Sequence, residues 1–182
     1  ILFVILALAS PNFLKFDNMM SILKQTTFNA LLSTGMLLCL ITAGIDLSVG
    51  ANATFAACMC GFLVTRGVTN SFVLIVVALL TGTLVGMVNG LLLTRLHLPH
   101  PFVSTLGMKN VLWGAALLVT ASKMISFSGI NGLLWLGSST MKGFPVSFVI
   151  VILIYILMHV LLTKTALGRS IYCAGGNPEA TR

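Results

Sequence analysis

Two acidic residues stand where they could do chemistry. Asp46 lies in Ala43-Gly44-Ile45-Asp46-Leu47-Ser48-Val49-Gly50, a polar break between two apolar runs. A carboxylate in such a break can meet a solute, because an ionisable group at membrane depth is costly and is kept mainly at functional sites. The same spacing suits a helix cap, with Asp46 or Ser48 accepting from the first free N–H groups of a helix starting near Val49. Both readings hold together, since a capped break at depth is tolerated only beside protein or a water-filled cavity.

Glu179 lies in Gly175-Gly176-Asn177-Pro178-Glu179-Ala180-Thr181. Gly-Gly followed by Asn-Pro is turn chemistry, and Pro178 can open a helix with Glu179 near its positive end. A short helix on a hydrophilic loop is a docking shape, and an ordinary solvated loop fits the same spacing.

The remaining reactive types point away from catalysis. His97, His100 and His159 have no acidic neighbour in sequence and no metal-protease spacing. The nucleophile-elbow and phosphate-loop patterns are absent, and Gly107-Met108-Lys109 lacks a glycine loop before it. No hydrolytic site, ATP site or cofactor is expected within the chain, so any energy must come from a separate protein. Of the four cysteines, Cys39, Cys58 and Cys60 sit in apolar runs, and the Cys58/Cys60 spacing matches neither zinc nor redox motifs. Cys173 lies in the C-terminal hydrophilic stretch, and no disulfide framework is implied.

The elements that must position these groups follow from composition. The chain has 182 residues, 58% apolar and 7% charged, with ten Lys+Arg against three Asp+Glu. A soluble domain carries about 25% charged residues, so soluble enzyme, nucleic-acid module and disordered segment are excluded, and a polytopic membrane protein remains. The net charge of +7 comes from basic residues scattered where apolar runs end. That is the pattern of helix ends anchored near lipid headgroups, not of a nucleic-acid surface.

Spans are placed by apolar runs between charges. Residues 1–9 are too short to cross a bilayer and lack the basic start of a signal peptide, so they read as the tail of a truncated first helix. The polar interval 10–26 carries Phe13, Phe16, Met20 and Leu23 at helical spacing, which predicts a short helix lying in the interface. Five runs follow: 27–45, 51–65, 71–94, 102–121 and 145–162. Pro99 and Pro101 stop the neighbouring helices, 122–144 is polar and glycine-rich with Trp135 as an interfacial aromatic, and 163–182 is hydrophilic. Gly82, Gly86 and Gly90 share one helix face and would let another helix approach closely. The predicted class is all-α: a truncated first helix plus about five membrane helices.

Alternation puts 46–50, 95–101 and 164–182 on one side. Four basic residues there (Arg95, Lys164, Arg169, Arg182) face five on the other (Lys15, Lys24, Arg66, Lys123, Lys142), so charge does not orient the chain. Lys109, inside a run, has no assigned role.

Several segments together carry a family resemblance. Thr42 to Gly50 resembles the "GGIDLSVG" signature of permeases from bacterial ATP-binding-cassette (ABC) importers for ribose and other monosaccharides. Val88-Asn89-Gly90 and Pro101-Phe102-Val103-Ser104-Thr105-Leu106-Gly107-Met108 follow in the family's order. Thr165-Ala166-Leu167-Gly168-Arg169 and the stretch 175–182 resemble its cytoplasmic loop. The resemblance implies a fragment of an all-helical subunit of about 8–10 helices, with residues 1–182 a partial permease domain and 164–182 a cytoplasmic coupling loop. The implied partners are an ABC ATPase, an extracytoplasmic sugar-binding protein and a second permease copy or homologue, all at the inner membrane. Gly176, Asn177, Pro178, Glu179, Ala180 and Arg182 would dock on the ATPase, and Asp46, Ser48, Gly50 and Asn89 would shape the gate region. Ala43 stands where the family has glycine, Thr181 where it has alanine, and residues 121–125 where it often has a glycine-rich turn. An ion- or proton-coupled secondary transporter is the rival, but a relay needs several intramembrane carboxylates and only Asp46 qualifies.

Overall fold

The computed structural model describes residues 1–95, 101–141 and 143–176. These form helices α1 (Leu2–Ala9), α2 (Phe16–Ile41), α3 (Val49–Thr65), α4 (Ser71–Arg95), α5 (Pro101–Thr120), α6 (Asn131–Ser138), α7 (Val146–Lys164) and α8 (Ala166–Gly176). Strands β1 (Thr140–Met141) and β2 (Phe144–Pro145) form a minimal antiparallel hairpin before α7. The expected all-α membrane architecture is what the chain adopts. Helices α4, α5 and α7 are long and apolar enough to cross a bilayer, and α3 is a shorter apolar helix.

Helix α3 packs on α4 and α5, while α2 packs on α7, which in turn carries α8. Buried Cys60, Leu74 and Ile130 form a core, with Leu63, Val77 and Phe127 against them. At 17 residues, α3 is about 26 Å long, a few ångströms less than a hydrocarbon core of about 30 Å. Irregular backbone at its N-terminal end therefore needs protein cover, and α4 and α5 supply it.

Three segments differ from expectation. The polar interval does not form a separate interfacial helix: residues from Phe16 onward are continuous with α2. No proline or glycine interrupts Phe16–Thr34, and the hydroxyls of Ser21, Thr26, Thr27, Ser33 and Thr34 bond back to carbonyls one turn earlier. Polarity satisfied inside the helix does not require water around it. The connector 122–144 holds α6 and the hairpin, turned through Gly143 at φ +86°.

The third difference is α8, which occupies residues expected to form a loop. Thr165 is extended and ends α7, its hydroxyl donates to Leu161 O at 2.6 Å, and it accepts from Gly168 N–H at 3.1 Å. One side chain thus closes one helix and N-caps the next. A Cβ on Gly168 would run into the carbonyls of Leu161 and Leu162, so the corner admits only glycine there. Gly175 and Gly176 are the last residues of the helix, and the Asn177-Pro178 half of the expected turn lies outside the described residues.

Candidate functional site

The polar break after α2 has a defined geometry. Ala43 N–H donates to Leu40 O (3.1 Å) and Gly44 N–H to Cys39 O (2.8 Å), with Ala43 at φ +57°. This is a Schellman C-cap whose left-handed residue is ordinarily glycine. The chain then reverses through Ile45 to Ser48 and enters α3.

Within that loop Asp46 Oδ1 accepts twice from Ser48, from its N–H at 2.7 Å and its hydroxyl at 2.6 Å. The cap reading is met in altered form. Asp46 takes the N–H of Ser48, the N-cap residue itself, and the Ser48 side chain makes no bond to the helix N–H groups. The Ser48 oxygen instead accepts from Asn89 Nδ2 on α4 at 2.8 Å. The loop is held on its other side by α5, where Thr105 Oγ1 accepts from Leu47 N–H at 3.2 Å. Ser48 and Asn89 are 1% and 9% exposed, and Asn89 Oδ1 is buried without a donor.

Three of the four expected gate residues, Asp46, Ser48 and Asn89, therefore form one hydrogen-bonded chain. Gly50 does not join it: it lies on the first turn of α3, and a Cβ there would meet nothing. Thr105 is the residue that sequence reasoning missed. Its 3.2 Å bond joins groups 58 positions apart, and its only sequence signal was its place in the 101–108 motif.

A cavity of about 200 Å³ opens beside this chain, lined by Cys39, Thr42, Asp46, Asn89 and Thr105 among others. Gly86 and Gly90 form part of its wall. A Cβ at Gly82, Gly86 or Gly90 would meet nothing within 4 Å, so no described helix packs on this glycine face as expected. Glycine here leaves open space.

A second cavity of about 420 Å³ lies between α2, α7 and α8, lined by Thr34, Tyr155, His159, Thr163 and Tyr172. The hydroxyls of Thr34, Tyr155 and Thr163 are bonded to main-chain carbonyls, and no carboxylate lines it. His159 and Tyr172 are its polar side chains without a hydrogen bond among the described residues, and the first cavity, the one of the two that a carboxylate lines, is the stronger candidate. Among the described residues no group of His, Cys, Asp and Glu could hold a metal ion.

At the far end of α8, Gly175 lies against the end of α2: a Cβ there would run into the Ile41 carbonyl. Gly176 is exposed and touches nothing at its Cβ position. Asn177, Pro178, Glu179, Ala180 and Arg182, expected to dock on a partner, lie outside the described residues. Lys109 is exposed on α5.

Comparison with known proteins gives a consistent answer. Residues 18–182 match the family described as "Branched-chain amino acid transport system / permease component". The chain is 34% identical over 181 residues to the ribose import permease protein of Bacillus subtilis (strain 168), covering 99% of this chain and 56% of that protein. It is 33% identical over 185 residues to the ribose import permease protein of Escherichia coli (strain K12), covering 100% of this chain and 57% of that one. It is 37% identical over 167 residues to the galactofuranose transporter permease protein of the same strain, covering 92% and 48%. The chain thus spans about half the length of these relatives. No solved structure matches.

Proposed function

The chain belongs to the branched-chain amino acid transport system / permease component family, and on that premise we propose that it is part of the membrane subunit of an ABC importer that carries a monosaccharide inward. It is a multi-pass protein of the inner membrane. The observation that carries the sugar reading is the Asn89–Ser48–Asp46 chain beside a small cavity. Relatives whose names specify ribose and galactofuranose add to it.

In this reading a separate ABC ATPase supplies energy, a sugar-binding protein delivers solute outside, and a second permease copy or homologue completes the path. Residues 164–182 form the cytoplasmic coupling segment, with Gly176, Asn177, Pro178, Glu179, Ala180 and Arg182 on the ATPase. Two anchors support a lever role for α8. The Thr165–Gly168 corner ties its start to α7, and Gly175 seats its end on Ile41. Ile41 leads within one residue to Thr42, which lines the cavity. A displacement of α8 by the ATPase would therefore reach the Asp46 loop directly.

The test is uptake of labelled D-ribose, D-fructose, galactofuranose and D-allose by cells that carry the full-length protein with its neighbouring genes, against a deletion strain. Uptake of at least one sugar that depends on this protein supports the reading. Absence of all four, with uptake of a branched-chain amino acid instead, refutes it.

A further inference from the structure

We infer that the cavity below the Ile45–Ser48 loop is a subsite for a sugar hydroxyl, with Asp46 Oδ2 as acceptor and Ser48 and Asn89 as its positioning residues. The inference rests on the sugar-import reading above and adds to it the recognising atom and the polarity of the contact.

The first argument is the use of the Asp46 oxygens. Both bonds from Ser48 fall on Oδ1, and Oδ2 takes no hydrogen bond or ion pair among the described residues. Asp46 is half-buried and lines the cavity. A carboxylate oxygen at depth without a cation or a donor of its own is costly. A ligand hydroxyl removes that cost by a charge-assisted hydrogen bond.

The second argument is the direction of the hydrogen-bond chain. Ser48 has one proton, which goes to Asp46, so its lone pair faces α4 and takes Asn89 Nδ2–H. Flipping the Asn89 amide would set Oδ1 against that lone pair, acceptor to acceptor. The buried Oδ1 therefore stays without a donor in a side chain only 9% exposed. An orphaned acceptor is a lasting expense to the fold. Here it keeps the Ser48 proton on Asp46 and leaves Oδ2 of the carboxylate as the acceptor for the cavity.

The third argument is size and sign. At about 200 Å³ the cavity is smaller than the roughly 300–1,000 Å³ of ordinary small-molecule sites, which suits a single sugar ring or one edge of it. The carboxylate disfavours anionic solutes. An amino acid could offer its ammonium as donor but would bring a carboxylate with it.

Cys39 lines the cavity and serves as a built-in reporter. In membrane vesicles holding the full-length protein with Cys58→Ala and Cys173→Ala, Cys39 is modified with a small methanethiosulfonate reagent. The probes are D-ribose (or D-fructose or D-allose, whichever the wild-type importer takes up), L-leucine, and exchange of sodium for choline. Sugar at about twice its Kd is expected to slow modification by about threefold, the factor 1 + [L]/Kd. L-leucine and sodium leave the rate unchanged. Asp46→Asn abolishes the protection, and Asp46→Glu, which keeps the acceptor, retains part of it. Equal rates with and without a sugar that the importer takes up overturn the inference. So does protection that survives Asp46→Asn, or protection by L-leucine or sodium alone. Failure of the sugar-import reading itself appears separately, as absence of sugar uptake by the wild type.

Discussion

The side-chain amide of Asn89 donates a 2.8 Å hydrogen bond to the hydroxyl of Ser48, 41 residues earlier in the chain. This bond ties α4 to the loop that opens α3, and the same hydroxyl donates a hydrogen bond to Asp46 Oδ1. A double-mutant cycle of Ser48→Ala and Asn89→Leu should show a coupling of about 0.6 to 1.7 kcal/mol, the range for hydrogen bonds between membrane helices. Ser48→Ala alone leaves Asn89 Nδ2 buried without an acceptor and should be the costlier single change, at about 1–3 kcal/mol. Thermal unfolding of the full-length protein in detergent measures both, and additivity would contradict the assignment.

Gly90 borders the cavity with open space at its Cβ position. Gly90→Leu should fill that space while keeping stability within about 0.5 kcal/mol of wild type. Sugar uptake should fall about tenfold, a barrier increase of about 1.4 kcal/mol. Unchanged uptake with a folded protein would separate the cavity from the solute path.

Gly175 and Gly176 are neighbours with opposite surroundings. A Cβ at 175 meets the Ile41 carbonyl, and a Cβ at 176 meets nothing within 4 Å. Gly175→Ala should push α8 off α2, costing about 1–3 kcal/mol and uncoupling ATP hydrolysis from uptake. Gly176→Ala should change stability by less than about 0.5 kcal/mol. Equal stability of the two variants would remove the α8–α2 contact from the account.

Ala43 holds φ +57° at the C-cap of α2. A non-glycine residue there carries about 1–2 kcal/mol of strain, against about 0.4–1 kcal/mol of extra chain entropy that glycine loses on folding. Ala43→Gly should therefore stabilise the protein by about 0.5–1 kcal/mol, a Tm rise of about 1–3 °C, and a lower Tm would contradict the cap.

How much of this was legible in the sequence varies with the range of the interaction. Asp46 and Ser48 stand two apart and could be paired by spacing, and the family motif added Asn89. The Leu47–Thr105 bond joins the α2–α3 loop to α5, and no local pattern carries such a contact. Composition alone hid α8, because hydrophilic residues 166–176 are helical through a cap at Thr165 and a close approach at Gly168. Among the described residues the glycine series at 82, 86 and 90 leaves open space and borders the cavity, because one small-residue face serves helix packing and cavity lining alike. The non-glycine positive φ angles at Ala43, Ala121 and Ser122 fall at positions where the family has or often has glycine, so those departures marked real backbone features.

Energy coupling tests the central claim most directly. The full-length protein is reconstituted in proteoliposomes with the proposed ABC ATPase and sugar-binding protein, and labelled sugar uptake is followed with ATP or with a proton gradient alone. The account predicts uptake that requires ATP and both partners and is indifferent to the gradient. Uptake driven by the proton gradient without ATP would contradict it and make Asp46 the carboxylate of a secondary transporter.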